Sequence, residues 1–336
     1  MSLNVLICDD SSFARRQMAR SIPKDWDVNL HYAENGEQAL ALIRQGTVDL
    51  TFLDLNMPVL DGYQTMEQIR AQDLPTMVIV VSGDVQAEAR NRMKAMGALD
   101  FIAKPVDSEK LNELLVQFGI HAGGGGGREV DEQQPLTNLD AMDAYREMAN
   151  VAMGQAGERL AQLLGEFINL PIPNVNLIES SELRMAIAEI QHKTYVSAVS
   201  QGFISAGING EALVIFNETN FASLVKLLKY NNSGLSEQQE IEALMDVSNI
   251  LIGACLNALA DQLNVRFSQN HPIILGRHCD LDQLIKNSVS KWRQIVAIEI
   301  GYSIENHDIN FDLLLLFPKD SMDVMFEKLV SLSEGA

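Results

Sequence analysis

Basic residues are scarce: 25 Lys and Arg stand against 45 Asp and Glu in 336 residues, a formal charge of -20. No Lys/Arg run interrupts that balance, so neither a nucleic-acid backbone nor an anionic membrane meets the basic surface it needs. Cysteine is scarcer still. Cys8, Cys255 and Cys279 are odd in number and widely spaced, which argues against a disulfide framework or a zinc cluster and for a reducing cytoplasm. No apolar stretch of about 18 residues is free of charge, so no membrane span is expected. The first ten residues, Met1 to Asp10, lack a basic region and carry too short an apolar run for a signal peptide. The expectation is a cytoplasmic chain with no nucleic-acid partner and no membrane insertion.

What is present reads as globular. The chain is 47% hydrophobic and 21% charged, and its length suffices for two domains with separate cores. Over the first 120 residues, short apolar runs (Val5–Cys8, Leu30–Ala33, Leu50–Leu55, Met77–Val81, Phe101–Ala103) alternate with amphipathic stretches such as Ser12–Ser21, Gly36–Arg44 and Val85–Met96. Continuous runs such as Met77-Val-Ile-Val-Val81 suit strands buried on both faces, so the fold class is α/β with a parallel sheet. After Gly119 the pattern stops. Residues 122–136, with five consecutive glycines, read as a flexible linker. A linker of that length spans roughly 20–24 Å, enough to let two domains meet without forcing them to. The expected division is 1–121, linker 122–136, and a second domain 137–336.

The second domain repeats itself. Asp143-x3-Glu147-x2-Asn150-x22-Pro173 is answered by Glu242-x3-Asp246-x2-Asn249-x22-Pro272. Each copy sits in a long helical pattern, Met142–Leu164 and Gln238–Leu263. Strand-like runs follow: Met185–Val196, Gly202–Ile208 and Ala212–Phe216, then Val265–Ser268, Ile273–Leu275, Gln294–Tyr302 and Phe311–Phe317. Shorter helices, Phe221–Leu228 and Ser321–Leu332, close each half. The reading is an α/β domain of two repeats, about 137–235 and 236–336, related by a pseudo-twofold.

Polar residues fall at the ends of the predicted strands: Asp9 and Asp10 after the first, Asp54 after the third, Ser82 after the fourth, Lys104 after the fifth. Functional groups of open parallel sheets gather there. Three carboxylates make a hard-oxygen site suited to Mg²⁺, and a hydroxyl with an ammonium completes a phosphoryl pocket. With Lys104-Pro105 and the loop Asp54-Leu-Asn-Met-Pro58…Asp61-Gly62, residues 1 to about 120 resemble the response-regulator receiver family. The resemblance implies a flavodoxin-like (βα)5 fold with strand order 2-1-3-4-5 and phosphorylation of Asp54 by a histidine kinase. It implies Mg²⁺ held by Asp9, Asp10, Asp54 and the carbonyl of Asn56. Ser82 and Lys104 would contact the phosphoryl oxygens, and Phe101 would be the aromatic switch.

Glu147 and Asn150 share one helical face, with Asp143 a turn earlier. Asparagine is mildly unfavourable inside a helix, so its repetition at fixed spacing calls for a purpose. This repeated pattern, over roughly 137–336, resembles the CheC/CheX/FliY phosphatases. The resemblance implies removal of a phosphoryl group from a CheY-like receiver, with Glu147 engaging the receiver's lysine and Asn150 orienting a water. The second copy departs from the pattern at Glu242 and Asp246, and Asp246/Asn249 is ranked as a weaker or vestigial site. Both domain types commonly pair, so a homodimer fits the resemblance.

Other chemistry is poorly supported. The six histidines (His31, His121, His192, His271, His278, His307) lack metal-ligand spacing, no serine or cysteine stands in a triad context, and no Lys-Ser/Thr follows the glycine run. The leading expectation is a response regulator with an aspartyl-phosphate phosphatase output, acting on a partner or on its own Asp54. The alternative is a non-catalytic adaptor or flagellar-switch-type protein on the same fold.

Overall fold

Residues 3–8 alternate little and are almost wholly apolar, and they form an interior strand, β1 (Leu3–Cys8), of a parallel sheet. The computed structural model describes residues 2–120, 138–183, 185, 196–217, 221–228, 237–277 and 292–334. The linker expected at 122–136 lies outside them, as do His121, His192, His278 and Cys279. Two compact units divide the chain, Met1–Glu147 and Met148–Ala336. The division falls inside helix α6 (Asn138–Leu164), so the first ten residues of that helix belong with the first unit.

In the first unit β1 is joined by β2 (Val28–Ala33), β3 (Leu50–Leu53), β4 (Met77–Ser82) and β5 (Asp100–Ala103), in the order β2-β1-β3-β4-β5, all parallel. Helices α1 (Ser12–Ser21), α2 (Gly36–Ile43), α3 (Gly62–Ala71), α4 (Ala87–Ala95) and α5 (Ser108–Gln117) alternate with the strands. Four of the five start at a side-chain cap: Ser11, Asn35, Asp61 and Asp107 each accept from a backbone N–H of the first turn. One cluster packs Val5, Ile7, Leu50, Phe52, Ile79 and Val81 against Met18, Trp26, Leu111 and Leu115, which explains why the central strands carry no polar face.

The second unit carries an eight-stranded sheet. Its strands are β6 (Ile168–Asn169), β7 (Asn174–Glu179), β8 (Val196–Ser205), β9 (Ile208–Asn217), β10 (Ser268–Gln269), β11 (Ile273–Arg277), β12 (Gln294–Ile304) and β13 (Asn310–Pro318). The long hairpins β8–β9 and β12–β13 pair antiparallel through β9 and β13. Short strands β6 and β7 of the first repeat pair with β12 of the second, while β10 and β11 of the second pair with β8 of the first. Each repeat therefore lends its leading strands to the other's hairpin, and this exchange gives the twofold pattern a physical form. Helices α7 (Phe221–Leu227), α8 (Glu237–Leu263) and α9 (Lys319–Glu334) complete the unit.

The part of α6 beyond Glu147 packs on α8: Cys255 Sγ donates to the carbonyl of Ala152 at 3.6 Å, and Gln262 Nε2 to that of Met148 at 3.2 Å. Residues Gln238–Leu263 are long and apolar enough to cross a membrane by length and composition, yet 56% of the tested stretch is buried inside the protein. That is the pattern of a core helix.

Three predicted strands need correction. Of Met185–Val196, residues 186–195 lie outside the described residues; Met185 is helical, as are residues 180–183, and Glu182 accepts from the backbone N–H of Glu179 at 2.8 Å, as a cap does. The strand preceding this turn is β7, whose polar Asn174-Val-Asn-Leu-Ile-Glu179 hides an edge strand behind a weak pattern. Val265–Ser268 shrinks to Ser268–Gln269, because α8 ends through Asn264 at φ 49° with Val265 N bonded to Ala260 O at 2.9 Å. Ile208 opens β9 instead of closing β8, since Gly207 turns the chain at φ 81°.

Candidate functional site

The apolar strands of the first unit stop together at their carboxyl ends, and polar residues stand at or just beyond those ends. Asp9 and Asp10 follow β1 and Asp54 follows β3, whose pairing to β1 continues as Asp54 N bonds to Cys8 O at 2.9 Å. Ser82 closes β4, and Lys104 follows β5 with its N bonded to Ser82 O at 3.0 Å. Asp9, Asp54, Ser82 and Lys104 are all buried.

Lys104 is the hub. Its Nζ lies 2.7 Å from Asp9 Oδ2, 3.1 Å from Glu147 Oε1 and 3.4 Å from Asp54 Oδ1. Burial alone would lower the Lys104 ammonium, but Asp54, Asp9 and Glu147 together hold it well above its usual value. Burial pushes the Asp9 carboxyl up despite Lys104, and Asp54 and Glu147 add to that. Asp10 rises to about 7, through burial and then through the charge of Asp54. Glu147 is also raised by burial, against the pull of Lys104. Carboxylates outnumber the ammonium here, so a further cation would relieve the site.

The geometry suits one. Ligand oxygens of Asp9, Asp10 and Asp54 lie within 4.8 Å of one another, and neither carboxylate oxygen of Asp54 accepts a hydrogen bond. A hard, oxygen-preferring divalent ion such as Mg²⁺ matches this donor set. Asn56, whose carbonyl was the fourth expected ligand, is half-buried two residues beyond Asp54.

Residues that sequence reasoning did not single out complete the frame. Arg15 Nη1 donates to the carbonyls of Asp9 at 2.6 Å and Asp10 at 3.2 Å, while its Nη2 pairs with Glu34 at 3.2 Å. Asp9 Oδ1 accepts from Ser11 N at 2.9 Å. Ser82 Oγ accepts from Asp84 N at 3.2 Å. Arg15 sits one turn into α1, and its spacing from the acidic pair was the available signal. Phe101 is buried with the Arg90 guanidinium 5.4 Å from its ring centroid, a cation–π contact.

Of the repeat motif, the structure brings Glu147 to Lys104. Asp143 is also engaged: its Oδ2 accepts from Ser12 Oγ at 2.7 Å and from Phe13 N at 2.8 Å. Asn150 is buried on α6, three residues beyond Glu147, in the second unit. Glu242, Asp246 and Asn249 of the second copy are all exposed on α8.

Residues 5–116 match the family model described as the response regulator receiver domain. Curated relatives include a protein-glutamate methylesterase/protein-glutamine glutaminase of Bacillus licheniformis, 33% identical over 129 residues, covering 36% of this chain and 36% of that protein. Another of the same name from Symbiobacterium thermophilum is 39% identical over 113 residues, covering 33% of this chain and 31% of that protein. The chain thus spans about a third of the length of these relatives. Among solved structures, FliY of Thermotoga maritima is 17% identical and covers 59% of this chain and 99% of that one, with a TM-score of 0.46. The CheX–CheY–BeF3–Mg complex of Borrelia burgdorferi is 28% identical over 35% of this chain and 90% of that one, with a TM-score of 0.33. Residues 5–116, with the parallel order β2-β1-β3-β4-β5 and the acidic cluster described above, form a receiver domain of the two-component response-regulator type.

Proposed function

We propose that this chain is a cytoplasmic response regulator whose Asp54 accepts a phosphoryl group and whose helix α6 promotes its removal. The observation that carries the reading is the contact of Glu147 with Lys104 at 3.1 Å, beside Asp54. A buried carboxylate presented to a receiver's lysine by a helix that also bears an asparagine one turn later is the arrangement the repeat motif implies.

In this reading a histidine kinase is the phosphodonor. The phosphoryl group sits on an Asp54 carboxylate oxygen, with Ser82 and Lys104 facing its other oxygens. A divalent ion held by Asp9, Asp10 and Asp54 would neutralise charge on the transferring group. Glu147 grips Lys104 and so fixes the height of α6. By the resemblance, the Asn150 amide, which both donates and accepts, is the group that would orient the attacking water. Attack of that water forms a new P–O bond as the Asp54 carboxylate leaves, and the water's proton departs with inorganic phosphate. Positioning supplies most of what this reaction needs.

The contact lies within one chain, so the proposed substrate is the chain's own Asp54. The tether raises the effective concentration of that substrate. The exposed triplet on α8 favours a second mode, in which Asn249 with Asp246 serves a CheY-like receiver of another molecule. The aspartyl phosphate formed from a small phosphodonor with Mg²⁺ should decay by first-order kinetics independent of protein concentration. Asn150→Ala should prolong it on the order of 100-fold. An unchanged lifetime in that variant would turn the reading to a non-catalytic adaptor.

A further inference from the structure

Helix α1 starts without a charge that helices favour. Its first turn holds no acidic residue, and Arg15 and Arg16 stand at its beginning, where negative charge is preferred. Its free N–H groups are nevertheless served: Ser11 Oγ takes Ala14 N at 3.1 Å, and Asp143 Oδ2 takes Phe13 N at 2.8 Å together with the Ser12 hydroxyl at 2.7 Å. The missing carboxylate is thus delivered by α6. Asp143 and Glu147 are four residues apart, about 6 Å along one helical face. One carboxylate meets the start of α1 and the other meets Lys104. A single contact would leave α6 free to pivot, whereas two contacts on different elements fix both its position and its rotation.

We propose that Asp143 is a positioning residue that makes α6 selective for receivers presenting a hydroxyl and a free backbone amide at the first turn of α1, as Ser12 and Phe13 do here. The inference rests on the hydrolytic reading above and deepens it by naming what the helix recognises. A receiver with an acidic side chain at the place of Ser12 would repel Asp143 and be refused. The second copy has Glu242 where Asp143 stands and Asp246 where Glu147 stands, which moves a methylene from one grip to the other.

The test uses the full chain, phosphorylated at Asp54 from acetyl phosphate with Mg²⁺, and follows phosphate loss. Asp143→Ala should lengthen the lifetime roughly tenfold, the size expected for losing charge-assisted hydrogen bonds. Asp143→Asn keeps an oxygen that can accept the same two bonds, without their charge, and should restore part of the rate. Ser12→Glu should slow the reaction at least as much as Asp143→Ala, and Ser12→Ala combined with Asp143→Ala should be no slower than Asp143→Ala alone. An Asp143→Ala lifetime equal to the parent's, or an Asp143→Asn no better than Asp143→Ala, overturns the proposal. Amide exchange at Phe13 reads the contact without any turnover: it should speed up in Asp143→Ala, and unchanged protection overturns the proposal as well. If Asn150→Ala leaves the lifetime unaltered, the hydrolytic reading fails on its own, and the Phe13 amide still decides whether Asp143 grips α1.

Discussion

Lys104 and Glu147, far apart in sequence, share a buried ion pair of 3.1 Å, and the same ammonium holds Asp9 at 2.7 Å. Substituting Glu147 leaves the ammonium its other carboxylates, so the receiver site should stay folded while α6 loses its grip. Glu147→Gln retains shape and hydrogen-bonding capacity but not charge. Phosphorylated Glu147→Gln should decay more slowly than the parent, and Glu147→Ala more slowly still, by roughly ten- to a hundredfold. Decay rates measured from released phosphate would check this. Equal rates in all three proteins would remove Glu147 from the mechanism.

Gly62 opens α3 against the loop that carries Asp54. A Cβ there would fall 2.2 Å from the Asp54 carbonyl oxygen and 2.7 Å from Leu55 Cα, both backbone atoms that cannot swing aside. Gly62→Ala should therefore destabilise the protein by about 1–3 kcal/mol and slow phosphorylation, because the displaced backbone bears the acceptor. Thermal melting and phosphorylation kinetics would report the two effects. A variant with normal stability and normal kinetics would show that the loop yields freely.

Much of the first unit is legible in the sequence because its rules are local. Caps such as Asp61 with Gln64 mark helix starts, buried parallel strands are unbroken apolar runs, and site residues sit where those runs stop. Ser12–Ser21 is bounded in the sequence as it is in the structure. The second unit is less legible for a physical reason. Strands β6, β7 and β10 are short or polar edge strands held by partners from the other repeat, and nothing local announces a long-range pairing. The grip of Asp143 on Ser12 and Phe13 was hidden in the same way: the residue was visible in the repeat, but its partners lie 131 and 130 residues earlier.

Glu211 gives the second unit a pH dependence. It accepts a hydrogen bond from Ser200 Oγ, and burial raises its carboxyl above the ordinary 4.5, partly offset by that bond. A raised folded-state value means that the folded protein holds its proton where the unfolded chain has released it. Stability then falls as pH rises from about 4.5 through the folded value, and levels off above it. Glu211→Gln has no such proton. Its urea midpoint relative to the parent should rise over that window and match at lower pH. A difference that does not change with pH would mean that Glu211 ionises equally easily in both states.

The exchange of strands between repeats has a consequence for folding. Neither hairpin has its full complement of neighbours unless both repeats are present: β8 needs β10 and β11, and β12 needs β6 and β7. The middle of the sheet is shared too, since Phe216 of β9 and Phe311 of β13 stack with ring centroids 5.2 Å apart. Either half alone would expose long unpaired edges and one side of that stack. Residues 137–235 expressed alone should therefore lack a fixed fold, whereas the two halves expressed together should assemble. Phe216→Ala and Phe311→Ala should each cost about 3–5 kcal/mol, and because the rings touch, the double variant should cost less than their sum. Both should shift one and the same unfolding transition of this unit, followed by near-ultraviolet dichroism in urea. If Phe216→Ala lowered one transition and Phe311→Ala a second, each repeat would be an independent folding unit, and the exchanged strands would contribute little to holding them together.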